Sequence, residues 1–425
     1  MSKPASFASS NVGLRDSSLA WIVCLSAGLF FLYEFFQLNL FDTINRDFSQ
    51  ALSLNSVQVG WISSSFLIAD VLFLLPAGLI LDRFSIRSVI LFALVLSVAG
   101  TFGFAVTHSF TFAFFCHFLS GIGNAFCFLA CVMLVTQWFP RNRQALVIGI
   151  IVTMAFLGGT LAHVPLLWLK AHFGWRQSLM IDGLVGIGIL AIIALFVSEK
   201  RPNLPVKKTA HQPFWKSLRL AVQNRQNWVL GLYTAILNLP IMVLCALWGT
   251  RFMTEVYGWP EQLSSEMMSN IFYGSMVGCP VIGWLSDQLD QRRSLMIFCA
   301  IITLLLSLPM SFGWQVSPTT MKWLCFTIGF ITSAQVLSYP LIAESNPLEY
   351  RGAATGFASV LIMGGGMVGQ LLYSFMLNMH AQQQTVYTSA DHLSTIIMLP
   401  ILFVGAIVTA ILIRTPTNNQ PIKET

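Results

Sequence analysis

An all-α integral membrane protein is the fold class this sequence predicts, on three observations. Of its 425 residues, 56% are hydrophobic and only 9% charged, with 34 Phe against 17 Asp and Glu. A soluble domain carries about 25% charged residues and needs them to cover its water-facing surface. The apolar residues gather in segments of about 20 residues, the length at which a helix crosses the hydrocarbon of a bilayer. Short stretches of period-two alternation, the mark of an outer-membrane barrel, do not occur.

Twelve apolar segments follow in order: Leu19 to Phe41, Val57 to Leu81, Val89 to Val106, Phe110 to Thr136, Ala145 to Leu169, Ser178 to Val197, Trp228 to Phe252, Met267 to Leu285, Leu295 to Gly313, Met321 to Ala343, Ala353 to Met379 and Thr395 to Ile413. One long polar connection, "EKRPNLPVKKTAHQPFWKSLRLAVQNRQN", divides them into six and six. The expected organisation is therefore an N-terminal six-helix bundle over 1–198, a cytoplasmic linker over 199–227 and a C-terminal six-helix bundle over 228–425. Within the linker Phe214, Leu218 and Val222 share one helical face, as suits a short helix lying at the membrane surface.

Basic residues set the orientation. If the N-terminus is cytoplasmic, only Arg46, Lys170, Arg176, Arg251 and Lys322 of the 23 Lys and Arg fall in outside segments, which is the asymmetry of the positive-inside rule. Both termini are then cytoplasmic. The net charge of +6 follows from this topology and implies no nucleic-acid partner. No compact basic region followed by a short apolar core marks a cleavable signal in the first 15 residues. Cys24, Cys116, Cys127, Cys131, Cys245, Cys279, Cys299 and Cys325 lie in apolar segments without a CxxC, which reads as packing rather than disulfides or metal ligation. No metal site, cofactor or catalytic group is expected, so the chain is not read as an enzyme. A Walker lysine motif is missing, so nucleotide hydrolysis is not the expected energy source.

The two halves repeat. "GLILDRFSIRS" begins at Gly78 after span 2 and "GWLSDQLDQRRS" at Gly283 after span 8; "FPRNRQALVIG" after span 4 holds Pro140 and Gly149, and "NPLEYRGAATG" after span 10 holds Pro347 and Gly356. Two motif pairs at nearly one offset indicate internal duplication of a six-helix unit, a common construction in transporters.

"GLILDRFSIR" resembles the loop signature of the major facilitator superfamily, G-x-L-x-D-R-x-G-R-R, and the resemblance extends over essentially the whole chain. It implies that fold, and a conformational latch that stabilises the outward-facing state. Gly78 would allow close helix packing, Asp82 would sit over the positive N-terminal end of a helix such as the one starting near Gly352, and Arg83 and Arg87 would stay at the cytoplasmic surface. Asp287 and Arg292 are the counterparts in the second copy. Ser85 replaces the second glycine, and Gln288 follows Asp287.

"HFLSGIGNAF" in span 4 resembles the superfamily segment R-x-x-x-G-x-G, with His117 where many members have arginine. Histidine changes charge near physiological pH and arginine does not. His117, Gly121, Asn124 and Phe128 share a helical face, so the imidazole is a candidate proton carrier; the alternative is a neutral ring bonded to a neighbouring helix. Span 5, "GIIVTMAFLGGTLAHVPLLWL", lacks the Gly-Pro of the antiporter motif, which weighs against an exporter of drugs or siderophores.

Polar side chains at membrane depth face protein or water, because lipid offers them no partner. The candidate substrate and proton pathway is Tyr33, Glu34, Gln37, Asp70, His117, Asn124 and His163 in the first half, and Asn238, Asn270, Tyr273, Gln335, Tyr339 and Gln370 in the second. Glu34 is the sharpest case: an acidic residue at the centre of a spanning helix costs about 2.5 to 3.5 kcal/mol on insertion scales unless it is protonated, paired or wet. Tyr33, Glu34 and Gln37 form one stripe that is expected to face the cavity; a structural hydrogen bond to another helix is the competing role. "YEFFQLNLFD" with the loop motifs further resembles the Pht-type intraphagosomal transporters, which implies uptake of amino acids or nucleosides. The expectation is a monomeric, proton-coupled importer of a small polar nutrient in the bacterial inner membrane, working by alternating access. An exporter and a non-transporting membrane sensor or scaffold are the alternatives.

Overall fold

A computed structural model describes residues 10–198, 214–289, 291–347, 350–381 and 387–414. Among them every regular element is helical: α1 Ser10–Ala51, α2 Ser56–Arg83, α3 Ile86–Ala105, α4 Phe110–Trp138, α5 Arg141–Leu161, α6 Val164–Phe196, α7 Phe214–Gln223, α8 Arg225–Leu237, α9 Gly249–Tyr257, α10 Glu261–Leu289, α11 Arg292–Ser311, α12 Pro318–Thr332, α13 Ser338–Glu344, α14 Arg351–His380, α15 Ser389–Ile396 and α16 Met398–Leu412. Among the described residues ten stretches are long and apolar enough to cross a membrane. One of these, Leu146–Phe196, contains expected spans 5 and 6 together, and α10, the expected eighth span, is not among the ten.

Local chemistry sets the helix ends. Asn55 and Gln58 form a reciprocal capping box at the start of α2, and Ser85, Ser109 and Ser317 cap α3, α4 and α12 by accepting backbone N–H groups, each satisfying a donor that the helix cannot. Several spans depart from the expected simple helices. Span 1 runs beyond Phe41 to Ala51. Span 5 breaks at His163 (φ −101°, ψ −99°) and restarts with Pro165 in the first turn of α6, where the missing N–H costs nothing. Gly174 (φ 77°, ψ 161°) then separates that piece from span 6, a conformation that suits glycine. Span 7 is α8, a π-helical stretch Pro240–Trp248, and α9; Pro240 withholds a donor from the ladder and the register shifts there. Span 10 is likewise divided by a 3₁₀ segment, Ser333–Leu337.

Lipid is as apolar as leucine, so close packing rather than exclusion from water holds the spans together. Glycine provides it. A Cβ at Gly121 of α4 would strike the Phe66 carbonyl of α2, and one at Gly329 of α12 would strike the Ile271 carbonyl of α10. The same device thus joins spans 2 and 4 and spans 8 and 10. Arg87 donates to the Ala194 carbonyl in the last turns of α6, and Arg293 to the Ile411 carbonyl of α16 at 2.6 Å, each a cation at the negative end of a helix. The expected surface helix is α7; Ser217 and Ala221 are its buried residues, while Trp215 and Val222 are exposed.

The three largest of four apolar clusters organise the interior. One lies within the first half around Phe30, Leu94 and Leu134, one within the second around Leu230, Met296 and Ala358. A third, with Phe41, Phe48, Trp248, Phe252 and Phe272, joins the halves.

Candidate functional site

Helix α1 carries two adjacent stripes, and they divide the site into two parts. Phe35, Leu38, Asp42 and Asn45 recur at i, i+3, i+7 and i+10 and meet the second half. The Phe35 ring lies 6.1 Å from Phe272, Leu38 packs with Met242, and Asn45 Nδ2 donates to the Leu247 carbonyl at 2.8 Å. The stripe of Tyr33, Glu34 and Gln37 turns instead into the first half. This differs from the cavity-facing orientation expected of it, because α3 and α6 supply its polar partners and α4 packs against Glu34.

Those partners complete a buried carboxyl cluster. The Tyr33 hydroxyl is 3.3 Å from Thr101 Oγ1, and Gln37 Nε2 donates to Asp182 Oδ2 at 2.6 Å. Glu34 is fully buried, with neither carboxyl oxygen hydrogen-bonded. Gly123 of α4 makes the room, since a Cβ there would collide with Glu34 Oε1. Asp70 stands beside Asn124 with its Oδ2 unpartnered, and Asp70 and Asp182 both lie within electrostatic reach of Glu34. No Lys, Arg or His is ion-paired with any of the three carboxyls among the described residues. Asp182 was not expected from the sequence; a lone acid in "SLMIDGLVGIGIL" is the same signal that singled out Glu34.

The second part is a seal between the halves at the end that carries the α1–α2 and α9–α10 loops. The Asp42 carboxyl accepts from the Thr250 N–H at 3.0 and 3.2 Å and from the Thr250 hydroxyl. His163 is buried with Nδ1 3.7 Å from Asp42 Oδ2, and its ring lies against Phe272. Lys170 Nζ holds Asp47 at 2.9 Å, the Thr43 carbonyl at 2.9 Å and Glu261. On the opposite side Gln370 Oε1 accepts from Ser63 and Ser64 at 3.0 and 3.3 Å, while its Nε2 donates to the Met242 carbonyl at 2.8 Å. Both carbonyls taken by Asn45 and Gln370 belong to the π-helical stretch. Every hydrogen bond described between the halves lies at this end.

Glycines of the two repeated loop motifs show the contrast. Gly149, Gly283, Gly352 and Gly356 each face open space where a Cβ would stand, although Gly121 and Gly329 are packed backbone to backbone.

The other expected residues are dispersed. His117 is buried, its ring 5.2 Å from Phe104, 5.3 Å from Phe66 and 5.9 Å from Phe41. Asn238 ends α8, Asn270 donates to the Glu266 carbonyl of its own helix, and Gln335 lies in the 3₁₀ segment of span 10. Tyr273 and Tyr339 are exposed, at 45% and 36%. No described hydrogen bond joins these second-half residues to one another. Of the latch residues, Gly78 lies in α2 near Leu129, Arg83 is exposed, and Arg292 pairs with Glu344 at 2.6 Å. The side chains of Asp82 and Asp287 lie outside the described residues.

A chain of paired six-span halves, with repeated loop motifs and an interface sealed at one end, defines a class of membrane protein. The Major Facilitator Superfamily profile matches residues 19–370, and the chain belongs to this family. It is 24% identical over 309 residues to the membrane sensor protein UhpC of Salmonella typhimurium, covering 67% of this chain and 68% of that one. It is 23% identical over 353 residues to a D-galactonate transporter of Escherichia coli, covering 75% and 80%. Among solved structures, the nucleoside transporter NupG aligns with a TM-score of 0.73 at 14% identity, covering 92% of this chain and 99% of that one. A bacterial homologue of the lysosomal transporter Spinster, in an inward-facing and occupied conformation, aligns with a TM-score of 0.73 at 17% identity, covering 92% and 96%.

Proposed function

We propose that this protein is a proton-coupled importer of a small neutral or zwitterionic nutrient, an amino acid or a nucleoside, in a bacterial inner membrane. The observation that carries the reading is the cluster of Glu34, Asp70 and Asp182 without a basic partner. An isolated carboxylate taken out of water costs several kcal/mol, so these groups exchange protons only when water or a cation reaches them. Alternating access provides that opportunity on one side at a time.

With both termini cytoplasmic, the sealed end is the outer one and the described state would be closed to the outside. The open space beside Gly149 and Gly356 is then where the halves close in the opposite state. Lys170 and Arg251 both sit at the sealed end. Lys170 is already held by carboxylates, and Arg251 lies over Tyr387. Among the described residues no basic side chain pairs with the carboxyl cluster, so a substrate bound beside it would be neutral or zwitterionic rather than a sugar acid like that of the galactonate relative.

Uptake into proteoliposomes under an imposed pH gradient, screened across amino acids and nucleosides, tests the proposal. Accumulation of one class driven by an acidic exterior supports it; a substrate that accumulates independently of the gradient contradicts it. Kinship to a membrane sensor keeps one second reading, ligand sensing without transport, and absence of counterflow for a ligand that binds would establish it.

A further inference from the structure

Three polar side chains packed among aromatic rings at the sealed end of the second half each keep one buried nitrogen or oxygen without a hydrogen bond. Arg251 follows the π-helical stretch, Tyr387 precedes α15, and His392 lies within α15. Arg251 Cζ stands 4.7 Å from the Tyr387 ring centre and 5.9 Å from that of Trp248. The His392 ring is 6.1 Å from Tyr387, 6.3 Å from Trp248 and 6.1 Å from Phe252. His392 is wholly buried and Tyr387 nearly so. Arg251 Nε, the Tyr387 hydroxyl and His392 Nε2 are each buried without a hydrogen bond.

Their chemistry is of one kind. An arginine Nε–H only donates, and a tyrosine hydroxyl donates readily. Tyr373 Oη lies 3.2 Å from His392 Nδ1; when that hydroxyl donates to Nδ1, Nε2 carries the proton and is a third donor. Trp248, by contrast, is satisfied, its Nε1 donating to Ser374 Oγ at 3.0 Å. Leaving a buried donor unpaired costs about 1 to 3 kcal/mol, more when it is charged. Arg251 has no ion pair among the described residues, the carboxylate within electrostatic reach being Glu255 on its own helix. Arg251 also lines a crevice with Asp42, Arg46, Thr250, Thr254, Glu255 and Glu261.

We propose that Arg251, Tyr387 and His392 form a binding site for a carboxylate group at the sealed end, separate from the carboxyl cluster of the first half. The guanidinium supplies the charge, and the hydroxyl and imidazole supply neutral donors within an apolar wall that strengthens all three contacts. This site does not depend on the chain being a transporter.

The test uses the purified full-length chain in a carboxylate-free detergent, with sodium acetate as the probe and acetamide as its neutral counterpart. Acetate raises the melting temperature saturably, by about 2 °C or more at saturation, and acetamide does not. Arg251→Gln abolishes the response. Tyr387→Phe keeps the ring and raises the half-saturating acetate concentration at least about fivefold, the loss of one hydrogen bond. Equal responses to acetate and acetamide, no response in the parent, or unchanged half-saturation in both variants would overturn the proposal. A response that appears only in Glu255→Gln would show the helix's own carboxylate to be the occupant, and would overturn it equally.

Discussion

Asp42→Asn tests whether the seal holds the described state. The carboxylate takes the N–H and hydroxyl of Thr250 and stands beside His163, joining α1 to the start of α9 across the halves. The amide keeps the shape and accepts the N–H but loses the charge. Hydrogen bonds to a charged group contribute about 1.5 to 3 kcal/mol against about 1 for a neutral pair. With two such donors involved, the sealed state loses about 2 kcal/mol, a factor of roughly 30 in the sealed-to-open equilibrium. Spin labels at Gln50→Cys and Gln262→Cys, both exposed residues flanking the seal, report the separation of the halves by double electron–electron resonance. The native cysteines are buried apart from the half-buried Cys279, so background labelling is small. A growing long-distance population is expected in Asp42→Asn. Superimposable distance distributions would show that the Asp42 bonds do not set the conformation.

Gln370→Leu leaves Ser63, Ser64 and the Met242 carbonyl without their partner, and is expected to lower the melting temperature while widening the same spin-label separation; a parent-like melt would place the seal elsewhere. Gly121→Val drives α2 and α4 apart and should abolish folded protein in detergent, whereas Gly356→Val meets open space, should fold normally, and should block turnover by obstructing closure at the other end. Parent-like transport by Gly356→Val would contradict that closure. His117→Gln, within a cage of three phenylalanines, is expected to keep pH-driven accumulation, and its loss would add the imidazole to the proton path.

The fold was legible because its signals are long and redundant: apolar segments of bilayer length, basic loops on one side, and paired motifs beginning at Gly78 and Gly283. Interruptions within spans were less legible. Pro165 and Pro240 mark where spans 5 and 7 are disturbed, but neither the break at His163 nor the π-helical register follows from a proline alone, since neighbouring helices re-satisfy the freed backbone groups. At the site, Glu34 and Gln370 stood out as polar residues among apolar ones, but which way a stripe faces depends on which helix meets it. Tyr33, Glu34 and Gln37 could be grouped by periodicity; that Thr101, Gly123 and Asp182 would receive them is a matter of tertiary packing. The neighbouring stripe of Phe35, Leu38, Asp42 and Asn45 also follows helical periodicity, and only its partners on the second half distinguish the two.

The central claim is that the carboxyl cluster carries the coupling proton, and Glu34→Gln tests it most directly. The substitution keeps size and hydrogen-bonding capacity and deletes ionisation. In proteoliposomes, with the substrate found by the screen, accumulation driven by an acidic exterior is expected to fall at least about tenfold, close to 1.4 kcal/mol if read as one interaction, while counterflow exchange persists. Parent-like accumulation with an unchanged dependence on the pH gradient would contradict the account and leave Glu34 as a buried packing residue of the first half.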